Sequence, residues 1–232
     1  MEKEVCIITG VGPGTGAALA KRFAETYRVA IIARDGERLD ALTKAVPSTF
    51  AYPCNVANTE DFAATLSAIE RDLGSARVVI HNAVGGGMGD IMTMEPKVLA
   101  RNFQINTMAL LQLIQTCGPA MVNAGQGAIL ATGNTAAYRG KAAFSAFAPT
   151  KAAQRILLES AARSLGPQGV HVAYVAIDAV IDVPWTREWY KDKPDDFFCQ
   201  PGDIAAECYH IAHQPRSAWT FDTVIRPFGE NW

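Results

Sequence analysis

A chain of 232 residues, 49% hydrophobic and 19% charged, has enough apolar material for one filled core and too much for a disordered chain. Its 21 basic and 23 acidic side chains leave a net charge of -2, which excludes a broad positive field, so neither nucleic acid nor a membrane surface is expected as a partner. The five cysteines, Cys6, Cys54, Cys117, Cys199 and Cys208, are odd in number and never form a C-x-x-C pair, so reduced and mostly buried thiols are expected. The start runs at once into Val5-Cys6-Ile7-Ile8, too early for a signal-peptide core, and no apolar run reaches membrane-spanning length; a cytoplasmic location is the expectation.

In chain order, β-rich runs stand at Val5 to Thr9, Val29 to Ala33, Thr49 to Tyr52, Arg77 to His81, Ala128 to Thr132, Val170 to Ile177 and Thr223 to Arg226. Helix-length segments separate them. Ala17 to Thr26, Glu37 to Val46 and Thr59 to Leu73 carry helix-spaced apolar residues, with Asn58 or Thr59 placed to cap the third. Parallel strands need long crossovers, and those crossovers cover both sheet faces. The alternation therefore predicts one α/β domain over residues 1–232, a doubly wound parallel sheet of about seven strands with helices on both faces. No internal repeat, low-complexity tract or linker divides it.

The first strand runs directly into Thr9-Gly10-Val11-Gly12-Pro13-Gly14-Thr15-Gly16, after which a helical pattern opens. Glycines permit a sharp turn and let backbone N–H groups approach a pyrophosphate, and the helix N-terminus adds partial positive charge. A glycine-rich turn with no ligand is the plainer alternative, weakened here because strand, loop and helix occur in the required order.

From these residues onward, nearly the whole chain resembles the short-chain dehydrogenase/reductase family, whose T-G-x-x-x-G-x-G signature is met by Thr9, Gly10, Gly14 and Gly16. The resemblance implies a Rossmann fold that binds a nicotinamide dinucleotide. In that family a small residue followed by arginine after the second strand accommodates the 2′-phosphate of NADP, and Ala33-Arg34 stands there, so NADP(H) is expected over NAD(H). The plainer role for Arg34 is that of a solvated helix-cap residue, and Pro13 replaces a second basic residue common in NADP-binding members. Asn55-Val56 stands where an acidic residue and valine usually meet the adenine, and the Asn55 carbonyl oxygen could accept from its amino group. Asn82-Ala83 keeps part of the family's N-N-A-G station, with the glycine displaced into Gly85-Gly86-Gly87; Asn82 is either a cofactor contact or a turn-stabilising amide. After the sixth strand, Val180 falls where a backbone group meets the carboxamide, and Asp182 would bring a carboxylate near the nicotinamide.

The resemblance also locates catalytic stations. Asn106 matches the asparagine that holds a water in the family's proton relay, and Lys151 matches the lysine that binds ribose hydroxyls and lowers the pKa of a tyrosine four residues earlier. Here that tyrosine is Phe147, which has no proton to donate. Asn134 replaces the family serine, and its amide N–H could still donate to an oxyanion. Keeping the lysine while lacking the tyrosine resembles an atypical subgroup of the family.

Tyr138 is either a relocated acid or an aromatic packed beneath a lid. Pro184-Trp185-Thr186-Arg187-Glu188-Trp189-Tyr190 is the lid candidate, the alternative being a satellite helix that buries two tryptophans. Met88 to Met94 and the Trp185 segment suggest an apolar pocket for a small-molecule substrate. Cys208, His210 and His213 lack a fourth ligand, so no metal is expected. By resemblance the chain forms a homodimer or homotetramer through helices spanning about Pro96 to Met121 and Ser145 to Leu165. Two activities stand open: hydride transfer between NADP(H) and a small carbonyl or hydroxyl compound at an altered site, or a catalytically silent dinucleotide sensor or assembly partner.

Overall fold

The computed structural model describes residues 3–87 and 89–229. The elements, in order, are β1 (Val5–Thr9), α1 (Thr15–Ala24), β2 (Arg28–Ala33), α2 (Gly36–Ala45), β3 (Thr49–Pro53), α3 (Thr59–Leu73), β4 (Ala76–His81), α4 (Pro96–Phe103), α5 (Ala109–Asn123), β5 (Gly127–Gly133), α6 (Ala148–Leu165) and β6 (Val170–Ile177). They continue with β7 (Val180–Ile181), α7 (Pro184–Trp189), β8 (Phe198–Cys199), α8 (Pro201–Ala212) and β9 (Asp222–Ile225). Seven strands make one sheet in the order β3-β2-β1-β4-β5-β6-β9, and every pairing in it is parallel. This is the expected single-domain Rossmann fold, its seven strands close to the predicted limits.

Two apolar layers explain why the five inner strands are mostly buried, while the edge strands β3 and β9 stay partly exposed. Phe62, Leu66, Ile69 and Leu73 recur at helical spacing on α3 and pack with Leu110 and Leu113 of α5 on one face. Leu19 and Phe23 of α1 join Ile204 and Ile211 of α8 on the other. Each such fully buried side chain contributes roughly 1.5–3 kcal/mol. Asn58 rather than Thr59 caps α3, its Oδ1 accepting from the N–H groups of Glu60 and Asp61. All five cysteines are buried and unpaired.

Two departures matter for the site. The helix expected over Pro96 to Met121 is interrupted at Gln104–Met108 by a π-helical segment that carries Asn106. After β6 the chain adds a small parallel pair, Val180 to Phe198 and Ile181 to Cys199, that frames α7. Among the described residues no helix is long and apolar enough to cross a membrane.

Candidate active site and dinucleotide cleft

Strand order reverses direction between β1 and β4, and a cleft of about 950 Å³ opens at the C-terminal ends of these strands. Gly10 adopts φ +73°, and a Cβ there would lie 2.4 Å from the Ala83 backbone, so the two loops meet only through glycine. A Cβ on Gly14 would come within 2.7 Å of the Val183 side chain, so the segment leading into α7 rests on the glycine loop. Thr15 Oγ1, on the first residue of α1, is buried against this cleft without a hydrogen-bond partner among the described residues. An orphaned hydroxyl at a helix N-terminus, where the first backbone N–H groups lack intrahelical partners, fits a phosphate group.

Arg34 lies exposed at the rim of the same cleft and makes no ion pair or side-chain hydrogen bond among the described residues. Its neighbour Arg38 is held by Asp35 at 2.9 Å. Asn55 and Val56 line the cleft as expected, but Asn55 Oδ1 already accepts from the Ala57 N–H at 3.2 Å. One lone pair of that oxygen therefore serves its own turn. Asn82 does likewise: Nδ2 donates to Gly10 O at 2.8 Å, and Oδ1 accepts from Thr132 Oγ1 at 2.8 Å. Asn82 thus lines the cleft as the tie between β1, β4 and β5, while Ala83 and Val180 present backbone to it.

Several expected roles are redirected by contacts that sequence order does not reveal. Asp182 turns away from the cleft: Arg187 grips both its oxygens at 2.7 Å, and Gln200 adds a third bond at 2.7 Å. The Arg187 bonds hold its carboxyl down at about 2. Its carboxylate anchors α7 instead of facing a nicotinamide. Tyr138 is also placed elsewhere, because its phenol donates to Asp222 of β9 and its ring packs edge-on against Tyr174. Burial and then the Asp222 bond raise its pKa, which opposes a role as acid.

Asn134 caps the turn Thr135–Ala137. Its Oδ1 accepts from the Ala136 N–H, and its Nδ2 donates to Ile177 O at 3.1 Å, leaving one N–H for an oxyanion. Phe147 stands at the start of α6 and is half-buried, its ring edge-on to Phe144. Asn106 is fully buried. Its amide donates to Gly85 O and Thr150 Oγ1, its Oδ1 accepts from the Gly85 N–H, and its main-chain carbonyl accepts from Gln154 Nε2 at 2.7 Å. Both the amide and the main-chain carbonyl of Asn106, the residue expected to hold a relay water, are thus engaged by protein groups.

Lys151 is buried one layer behind the cleft wall, donating to Thr132 O at 3.3 Å and Gln154 Oε1 at 2.9 Å. Burial lowers its pKa to about 7. Any contact of this ammonium with a ribose needs its third N–H.

On α7, Trp185, Trp189 and Tyr190 line the cleft and are substantially exposed, so this segment does not bury its tryptophans as a satellite helix would. The apolar pocket expected near Met88 to Met94 is not formed by Ile91 and Met92, which face solvent, and Met88 lies outside the described residues. The Gly89 N–H instead ties this loop to Ala143 O, next to Phe144. His213 is engaged by Tyr27 and the Tyr209 carbonyl, and Cys208 is buried in the core. Among the described residues no cluster of three His, Cys, Asp or Glu could hold a metal ion.

Gln154, Arg38 and Arg101 join the site without having been singled out from the sequence. Gln154 had one available signal, a long polar residue one helical turn after Lys151.

Residues 4–194 match the model of the short chain dehydrogenase family. The chain is 33% identical over 175 residues to the oxidoreductase asL5 of Sarocladium schorii, covering 73% of this chain and 69% of that protein. It is 24% identical to the 7alpha-hydroxysteroid dehydrogenase of Escherichia coli strain K12, covering 99% of this chain and 94% of that one. Its fold is similar to a metagenomic short-chain oxidoreductase solved in complex with NADP, with a TM-score of 0.85 and 25% identity, covering 99% of both chains. With its parallel sheet, its glycine loop closed on Ala83 and a family match over most of its length, this chain belongs to the short chain dehydrogenase family.

Proposed function

We propose that this chain binds NADP(H) and transfers hydride between it and a small carbonyl or hydroxyl compound, at a site that has lost the family phenol. The observation that carries the cofactor assignment is the Thr15 hydroxyl at the start of α1 together with Arg34 at the rim of the same cleft, both without a side-chain partner among the described residues. A pyrophosphate would be held by Thr15 and the loop N–H groups, a 2′-phosphate by the Arg34 fork, and the adenine by Val56 and Asn55. The NADP held by a structural relative of 25% identity supports the same choice. When bound, the nicotinamide supplies the hydride. Of this chain's own residues, Asn134 offers one N–H hydrogen bond to the carbonyl oxygen and Lys151 supplies positive charge behind it; the alkoxide left by hydride transfer takes its proton from solvent water, which reaches the cleft beside the exposed Trp185 and Trp189 of α7.

The second reading, a silent dinucleotide-binding protein, is favoured by Phe147 and by the engaged amides of Asn106 and Asn134. A direct NADPH titration beside NADPH oxidation with a panel of small ketones and aldehydes separates the two. Binding with slow oxidation supports the reductase. Binding without oxidation supports the silent protein, and absence of binding removes both. Self-association is proposed through α5 and α6, because Met108 beside α5 and Ile156 on α6 are exposed in the single chain.

A further inference from the structure

Behind the cleft wall, a run of buried hydrogen bonds crosses from α6 to the glycine-rich loop after β4. Lys151 Nζ donates to Gln154 Oε1 at 2.9 Å, Gln154 Nε2 donates to Asn106 O at 2.7 Å, and the Asn106 amide closes on both backbone groups of Gly85 at 2.8 Å. Gln154 is fully buried, and both ends of its carboxamide are used. A buried glutamine is costly unless satisfied, so its place between an ammonium and a main-chain carbonyl is a specific arrangement.

Among the described residues, no carboxylate partners the lysine there. His81 of β4 is the titratable group electrostatically coupled to it, and burial holds that imidazole neutral, at about 3. Of the other titratable groups around α6, Tyr174 of β6 is bonded to the Asn134 backbone, while Tyr138 and Arg155 are tied to Asp222. The positive charge of Lys151 is therefore supported by two neutral oxygens, Gln154 Oε1 and Thr132 O.

We propose that Gln154 is a positioning residue of the dinucleotide site: its carboxamide holds the Lys151 ammonium behind the Thr132–Asn82 wall and fastens that charge, through Asn106, to Gly85 at the cleft. The proposal rests on the cofactor-binding assignment above. An amide has fixed polarity, oxygen to the lysine and nitrogen to the carbonyl. Unlike water, it does not hand a proton onward without becoming an imidic acid. Lys151 accordingly acts as a binding charge whose protonation follows the oxygen that Gln154 presents.

The test reads that protonation directly, from the Cε resonance of Lys151 in full-length protein labelled with 13C-lysine, assigned with Lys151→Met. Gln154→Leu removes the oxygen and lowers the titration midpoint by about one unit or more; Gln154→Glu puts a carboxylate in its place and raises the midpoint by a similar amount. NADPH affinity measured near pH 8.5 falls about tenfold in the leucine variant and is kept or improved in the glutamate variant. An unchanged midpoint in both variants, with only stability lowered, makes Gln154 a packing residue and overturns the proposal. Should Gln154→Leu fail to fold, Gln154→Glu decides alone, since its midpoint either rises or the proposal fails. Absence of both NADPH and NADH binding in the parent is a separate failure: it removes the cofactor assignment, and the proposed role with it, even where the midpoint moves.

Discussion

Lys151 Nζ stands 5.8 Å from the centre of the Phe147 ring, so the buried ammonium faces a π-system that carries no ionisable hydroxyl. An aromatic face supports the charge by roughly 0.5–2 kcal/mol but moves no proton. Phe147→Tyr should therefore raise NADPH-dependent reduction of an activated ketone by about tenfold or more, because a new phenol beside Lys151 would have its pKa lowered from about 10. The carboxamide bridge at Gln154 limits the gain by slowing reprotonation. An inert Phe147→Tyr protein with unchanged NADPH affinity would remove the idea of a remodelled reductase and favour the silent protein.

Tyr138→Phe tests whether an acid has moved to the neighbouring loop. Its hydroxyl is spent on Asp222, whose other oxygen is held by Arg155 at 2.7 Å. The variant should lose about 0.5–1.5 kcal/mol of stability in denaturant melts and keep the parent's NADPH affinity and turnover. Loss of turnover at full stability would restore Tyr138 to the active site.

Arg34→Ala should erase most of the preference for NADPH over NADH. Loss of a charge-assisted phosphate contact costs on the order of 1.5–3 kcal/mol, which is about one to two decades in Kd for NADPH and little for NADH. Equal affinities in the parent protein would count against Arg34 as the phosphate ligand.

Lys151 makes stability depend on pH in a direction that can be worked out. Its pKa is lowered in the folded state from 10.5 to about 7. Between those values the unfolded chain binds the extra proton, so this group's contribution to stability rises with pH. Below about 7 the folded protein carries a buried charge and the contribution is at its least favourable. Denaturant melts of the parent and Lys151→Met, compared at each pH, should diverge in the parent's favour by up to about 1.4 kcal/mol per pH unit across that window. A difference flat with pH would mean that Lys151 keeps an ordinary pKa.

What was legible in the sequence was legible for local reasons. The glycine loop is read from order alone, since a strand, tight glycines and a helix start are neighbours in the chain. The seven strands follow from apolar runs too short for helices, and the start of α3 was legible to within one residue, with Asn58 or Thr59 as its cap. The position of Phe147 relative to Lys151 is one helical turn, and that too is fixed by the chain itself.

Side-chain direction at the site was decided across the fold. Tyr138 could face a substrate or the sheet edge until β9 brought Asp222 to it, 84 residues on. Asp182 was an acid near a nicotinamide until α7 set Arg187 against both its oxygens. The main-chain carbonyl of Asn106, in the π-helical segment, found its donor only on α6, in Gln154 48 residues away. In each case a polar group leaving water needs a partner, and only packed helices and strands determine which partner is within hydrogen-bond reach.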